Sequence, residues 1–477
     1  MTDTTATKTN TTAAKPPTTM AFGELILTFV DKFFFRYNDD RSGTHRFSCH
    51  EPKLYPWNRT FPDGFAYLGY AALPGWCTPN LHCPPPKRQH ELDGHTVALC
   101  VRLNPDHPAP AGSPPALARP VDLEQVWTTA GANGRWNTTI WRPVPPEGYV
   151  AMGLITSGIH PAEFDKPGWS DLMCVREDLT APADVKWLYN AGGTGAKQRF
   201  SAWSIVVPPS YVDDSEGPTR VLIAPNTFTG HQSYDQPEGL PEMRVLCLPL
   251  PTELPDRPHM PALVDHVRPA SKVSSAVTNV VWLPYTAVHD PVKTDEWKVA
   301  NSPFYRIERK ASWTLLAHIS NQTSTTQTVT KSITTGTEKE SANTFSVNTG
   351  FSVSSTVGVS TGVVSSSATA TFSLELGFSH TTSLKELESH SVTRTLQAPP
   401  DHAAAMWVAD YELQVRRADG TRVGSPLTFR GDSFHYDQYP DDPATSDTTT
   451  TKTTTKTGTT TSTGRSATTP TKRSKHS

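Results

Sequence analysis

Two stretches of the sequence carry residues arranged as if for chemistry. GVSTG, residues 358–362, fits G-x-S-x-G, the pattern that sets a nucleophilic serine on a sharp turn between a buried strand and a helix. Here the serine sits inside a run of Ser, Thr, Gly and Val with no helical pattern after it, so the match follows from composition. NAGGTGAK, residues 190–197, is glycine-rich but lacks the spacing and the Ser/Thr of a phosphate loop. Cys77, His82 and Cys83 lie close together, yet no two cysteines form a CxxC pair, and a local disulfide or free thiols outweigh a metal site. HExxH and calcium-loop patterns do not occur. The chain is read as no enzyme, with no catalytic residue, metal or cofactor.

The surroundings of GVSTG are more informative than the motif. Residues 341–374 contain no Asp, Glu, Lys or Arg. Read with period two, Phe345, Val347, Phe351, Val353, Val357, Val359 and Val363 share one face, while Ser346, Asn348, Gly350, Ser352 and Ser354 alternate with them. At Val363 and Val364 the phase flips, and Val364, Ala368, Ala370, Phe372, Leu374, Leu376 and Phe378 then share a face. Sustained alternation with one phase change predicts a β-hairpin, its turn near residues 360–367. Each arm, about 15–17 residues, exceeds the roughly 9–11 that a transmembrane strand needs. One hairpin cannot cross lipid alone, because its edges leave backbone groups unpaired, so several copies must close a barrel. A hairpin in an ordinary soluble sandwich normally carries Lys or Glu on its outer face; this one has none.

Composition sets the frame for that hairpin. The chain has 477 residues, 43 of them proline, with 19% charged residues and a net charge of −3, so no global attraction to nucleic acid is expected. Short runs of Val, Thr, Trp and Tyr between Pro and Gly read as mostly β. Residues 1–20 are Thr-rich and lack the basic start and apolar core of a signal peptide. Synthesis without a signal peptide is therefore expected, with a cytoplasmic location or release by a non-classical route and action at a target membrane. Residues 441–477 are polar and cannot drive ordering; Arg465, Lys472 and Arg473 are candidate cleavage sites there.

Three segments repeat along residues 21–255: VALCVRL, LMCVREDL and RVLCLPL, at roughly equal spacing. Each is preceded by a second match, AYLGYAALPG, VAMGLITSG or VLIAPNTFTG. Strands this short cannot bury a face alone, so three units share one core. That predicts a β-prism-like domain about a pseudo-threefold axis, with Cys100, Cys174 and Cys247 as small apolar residues at equivalent core positions. The loops after the three glycines offer Trp76, His160, Phe164, Trp169, Phe228, His231 and Tyr234 as candidate contacts for a lipid or glycan receptor.

GYVAMGLITSG, followed by DKPGWSDLMCVREDLT and Trp187, resembles the Vps62 family, which implies a membrane-associated β-prism binding domain. The insert HCPPPKRQHELDG in copy one departs from that pattern. The flanks of the uncharged run, NQTSTTQTVTKSITTGTEKE before it and SHTTSLKELESHSVTRTLQAPP after it, resemble the aerolysin-like family in its insecticidal crystal toxin and ETX/MTX2 branch. That resemblance implies a soluble monomer that binds a surface, oligomerises and extrudes the hairpin.

The combined expectation is an all-β chain. A disordered N-terminus (1–20) precedes a three-repeat binding domain (21–255), a Pro-rich linker (256–274), an elongated aerolysin-like pore-forming module (275–440) and a disordered tail (441–477). The function expected is a β-barrel pore-forming toxin or defence protein that binds a membrane lipid or glycan receptor, forms a homo-oligomer and inserts residues 341–379. The alternative is a non-lytic membrane-tethering, trafficking or lectin-like binding protein.

Overall fold

The computed structural model describes residues 18–440 apart from 40–44, 46, 54–63, 75–88, 92–96, 135, 159–164, 210–218, 355–357, 362–367, 372–375 and 377–388. Among the described residues the fold is all-β, with two short α-helices, Asp295–Asn301 and Lys339–Thr349.

The repeats of the N-terminal half appear as repeated strand pairings. Each copy contains an antiparallel meander. In copy one it is Lys32–Asn38, Phe47–Lys53 and Ala71–Pro74. Copy two has Asp122–Thr128, Thr139–Val144 and Ile155–Thr156, and copy three has Asp184–Asn190, Ser201–Val206 and Phe228–His231. The first pairing of each copy is bulged at the same point, between Phe35 and Tyr37, Gln125 and Trp127, and Trp187 and Tyr189. An added residue at a bulge re-aims the strand, and the aromatic that follows it is buried in all three copies.

A second small sheet in each copy is built around its cysteine-bearing strand, Ala98–Leu103, Cys174–Arg176 or Arg244–Pro249. Cys100, Cys174 and Cys247 are all buried. Burial pushes the Cys174 thiol up to about 12, the behaviour of a small core residue rather than a reactive group. Where the copies meet, Tyr70 N donates to Leu154 O (3.0 Å) and Leu154 N donates to Phe228 O (2.9 Å). Gly69, Gly153 and Thr227 crowd together at this junction. A Cβ on Gly153 would lie 2.5 Å from Thr227 Cβ.

The C-terminal half is framed by long antiparallel strands, Lys272–Pro284, Phe304–Ser320, Ala403–Arg416 and Arg422–Tyr439, with short Thr252–Glu253 at one edge. A buried ion pair fastens one end of this frame. Arg417 donates from Nε and Nη2 to both oxygens of Asp290 (2.7 and 2.8 Å), and Tyr305 Oη donates to Asp290 at 2.8 Å. Burial opposes ionisation of Asp290, but these donors outweigh it and hold the carboxyl below its usual range. At the other end a two-stranded ladder, Gln327–Thr335 with His390–Ala398, packs Leu396 and Ala398 onto Ala317, Ile319, Ala404 and Met406.

The proline-rich stretch between the halves lies against the frame. Leu263 N donates to Asp437 Oδ2 (2.6 Å), Leu315 N donates to Ser271 O (2.8 Å), and His435 Nε2 hydrogen-bonds Pro261 O (2.8 Å). The halves share apolar surface directly. Phe29 packs on Tyr285 and Phe304, with ring centroids 5.1 and 5.8 Å away, and Phe22 also meets Phe304.

The crowded junction yields a prediction. Gly153→Ala overpacks it and costs about 1–3 kcal/mol, lowering the midpoint of thermal unfolding. Gly168→Ala, where an added Cβ meets nothing within 4 Å, leaves the midpoint unchanged.

Candidate functional site

The candidate site is the uncharged segment and the surface that holds it. Its first part is not the strand that the alternation predicts. Residues Lys339–Thr349 form a helix with Glu340 in the first turn, capped by Gly350 in the left-handed region (φ 81°). Helical spacing sets Phe345 and Thr349 four residues apart on one face, where both are buried; Thr349 Oγ1 donates to Phe345 O (2.7 Å). The opposite face points to solvent, and Val347 is 73% exposed. A Cβ on Gly350 would come 3.1 Å from His289 N, so the chain turns tightly under the loop that carries His289.

After this turn Phe351–Ser354 pairs with Gly358–Thr361, setting Phe351 opposite Thr361 and Ser354 opposite Gly358. The reversal thus falls between Ser354 and Gly358, earlier than the expected turn near 360–367. The serine of GVSTG, Ser360, lies on this short strand opposite Ser352. Further on, Thr361 N donates to Ala370 O (2.9 Å) and Ala370 N donates to Thr361 Oγ1 (3.1 Å). Ala368–Thr369 then adds to the N-terminal half as an outer strand beside Arg220–Ile223.

The side chains nevertheless follow the predicted faces. Phe345, Phe351, Val359, Ala368, Ala370 and Leu376 are buried, and all six belong to the two apolar series read from the sequence. They join one apolar cluster with Phe22, Val221 and Ile223 of the N-terminal half and Leu283, Phe304 and Val423 of the frame. Val353 packs half-buried against the same cluster. Val347 is the exposed exception, because the helix turns it away from its predicted neighbours. Val357, Val363, Val364, Phe372, Leu374 and Phe378 lie outside the described residues.

The loop candidates fare differently. Phe228 is fully buried; it sits on the last strand of the copy-three meander and meets Phe47 edge-on at 5.7 Å, so it presents nothing to a receptor. Trp169 is half-buried against the core. His231 is partly exposed, with Nε2 on Asp235 O (2.8 Å). Tyr234 is exposed beneath the Arg199 guanidinium, 5.5 Å from its ring. Trp76, His160 and Phe164 lie outside the described residues, as do Arg465, Lys472 and Arg473. Trp187, named in the sequence only for the Vps62 resemblance, is also exposed, at 41%, and meets the His45 ring at 5.0 Å.

These placements separate two kinds of substitution. Phe351→Ala removes a ring that is 1% exposed and lowers the stability of the folded protein by about 3–5 kcal/mol. Val347→Lys, on an exposed turn near a helix C-terminus that favours a cation, stays within about 0.5 kcal/mol. Urea unfolding midpoints measure both.

Two family models match separate parts of the chain. Residues 18–269 match the family model for vacuolar protein sorting-associated protein 62, Vps62. Residues 279–432 match that for the insecticidal crystal toxin, P42. No curated protein matches the chain. Among solved structures, GNIP1Aa from Chromobacterium piscinae is similar at 17% identity and TM-score 0.33, over 46% of this chain and 37% of its own; the chain thus spans well under half of that protein. Cry35Ab1 is similar at 14% identity and TM-score 0.28, over 68% of this chain and 89% of its own. With more than half of its length under one family model, the chain belongs to the Vps62 family, and its residues 279–432 are similar to the insecticidal crystal toxin, P42.

Proposed function

We propose that this toxin-type protein forms β-barrel pores: the N-terminal half binds a lipid or glycan on a target membrane, copies assemble, and residues 341–379 refold into an inserted hairpin. The observation that carries this reading is the register of the two-stranded ladder at the root of the segment. Gln327 faces Ala398 and Thr335 faces His390, with no bulge between. Continued one-to-one beyond Thr335 and His390, the same register would set Val347 opposite Phe378, Phe351 opposite Leu374, Val353 opposite Phe372 and Val357 opposite Ala368. The two apolar series thereby become one continuous face.

Two further features fit that register. Its turn falls on Gly362 and Val363, where the alternation changes phase, and Gly at the first position suits a two-residue type II′ turn. At the root it would pair Lys339 with Glu386 and Glu340 with Lys385, opposite charges across the strands, just where an inserted hairpin would leave lipid. In the soluble fold Phe351 instead faces Thr361. The segment thus has two mutually exclusive pairings. One hides its apolar face within the protein, and the other offers that face to a bilayer while neighbouring copies supply the missing backbone partners.

Dye release from liposomes, with binding followed by co-sedimentation, tests the proposal. Val353 is only half-buried in the soluble fold but would sit mid-hairpin on the lipid face. A lysine there costs about 2–4 kcal/mol at the bilayer midplane, repeated in every copy of the ring. Val353→Lys should therefore bind as the parent does and release dye at least about tenfold more slowly. Equal release by this variant refutes hairpin insertion. Tight binding by the parent with no release favours the tethering alternative.

A further inference from the structure

The outer edge of the third repeat is taken by a strand from outside the repeats. In copies one and two, Ala66–Tyr67 and Tyr149–Val150 are the last strands of their sheets, and Tyr67 adds only a single parallel bridge, to Leu172 of copy two. Their counterpart in copy three, Arg220–Ile223, is not the last strand of its sheet. On its inner side it pairs with Arg244–Pro249, and on its outer side it takes Ala368–Thr369, with Leu222 opposite Thr369 and Ile223 opposite Ala368. The sequence of that edge is apolar, Val221-Leu222-Ile223, and all three residues are fully buried. A bare apolar edge of this kind invites pairing with another chain, and here the insertion segment covers it.

We propose that the strand Arg220–Ile223 is an autoinhibitory clasp, by which the binding half holds the insertion segment in its soluble pairing. This rests on the pore-forming reading above and adds to it the contact that must break first. In a closed barrel of the continued register Ala368 would face Val357 on one edge and a neighbouring copy on the other, so neither edge would remain for Ile223. The clasp also reaches the binding half's centre. Arg220–Ile223 runs on to Thr227, whose hydroxyl donates to Met152 O at the junction of the three copies. A receptor that shifts the third repeat therefore acts directly on the strand that restrains the segment.

The test has a membrane-free arm and a membrane arm. In solution, hydrogen exchange of residues 358–371 is compared between the parent and Thr369→Pro, which removes one ladder N–H at most. Exchange should quicken at least about fivefold in that stretch while Phe304–Ser320 keeps its protection. Unchanged exchange there overturns the clasp. On membranes, Ile223→Cys/Ala368→Cys is oxidised, with each single variant as control and bridge formation checked by peptide mapping. The bridged protein should bind without releasing dye, and reductant should restore release. Release by the bridged form as fast as by the reduced form overturns the clasp while leaving pore formation standing. Should the parent release no dye from membranes it binds, the pore reading fails and the exchange comparison alone decides whether the strand restrains the segment.

Discussion

The structure depends on the burial of one apolar face drawn almost wholly from the uncharged run 341–374. Phe345, Phe351, Val359, Ala368, Ala370 and Leu376 fill the space between the two halves, and each large side chain removed from water there contributes about 1.5–3 kcal/mol. Phe22 and Phe29 from one half and Tyr285 and Phe304 from the other close over the same cluster. The segment is therefore a structural element of the folded protein before it is anything else. Removing it would expose apolar surface on both halves, so departure requires another apolar environment to receive its side chains.

On the proposed reading, the opposite face would let the segment leave. Ser, Thr, Gly and Asn hydrogen-bond readily to water or to neighbours and carry no ionic cost on entering a low-dielectric medium. A charged outer face would have protected a permanently soluble hairpin against aggregation. Here protection comes from docking instead, through the helix Lys339–Thr349, the short pairing of Phe351–Ser354 with Gly358–Thr361, and the outer strand Ala368–Thr369. On the proposed reading, folding and insertion would draw on the same side chains in two geometries.

Much of this was legible in the sequence, for local reasons. The cysteine strands recur because each copy must present a small residue to the core, and the period-two alternation marks a face whatever pairing it adopts. The helix was not legible. Residues 345–354 alternate as a strand would, and only the tertiary site that receives Phe345 and Thr349, with Gly350 free to turn left-handed under His289, makes the helical spacing win. The early reversal at Ser354 and Gly358 has the same origin, since Phe351 and Val359 are buried together. Phe228 looked like a loop aromatic because its neighbours are Thr and Gly; its burial follows from the close approach of Phe200 to Gly230 across the meander, a long-range contact with no local signature. The coincidence of the ladder register with the phase change needed both sources, the rungs from the structure and the faces from the sequence.

The account stands on the claim that one segment has two registers, and cysteine pairing reads registers directly. Ser352 faces Ser360 in the soluble fold, whereas the continued ladder would set it opposite Ser373. Ser352→Cys/Ser360→Cys is predicted to bridge in solution and to lose that bridge in assembled, dye-releasing protein. Ser352→Cys/Ser373→Cys is predicted to bridge only after assembly on the membrane. Dye-releasing protein that keeps the first pairing, or never forms the second, would contradict the account.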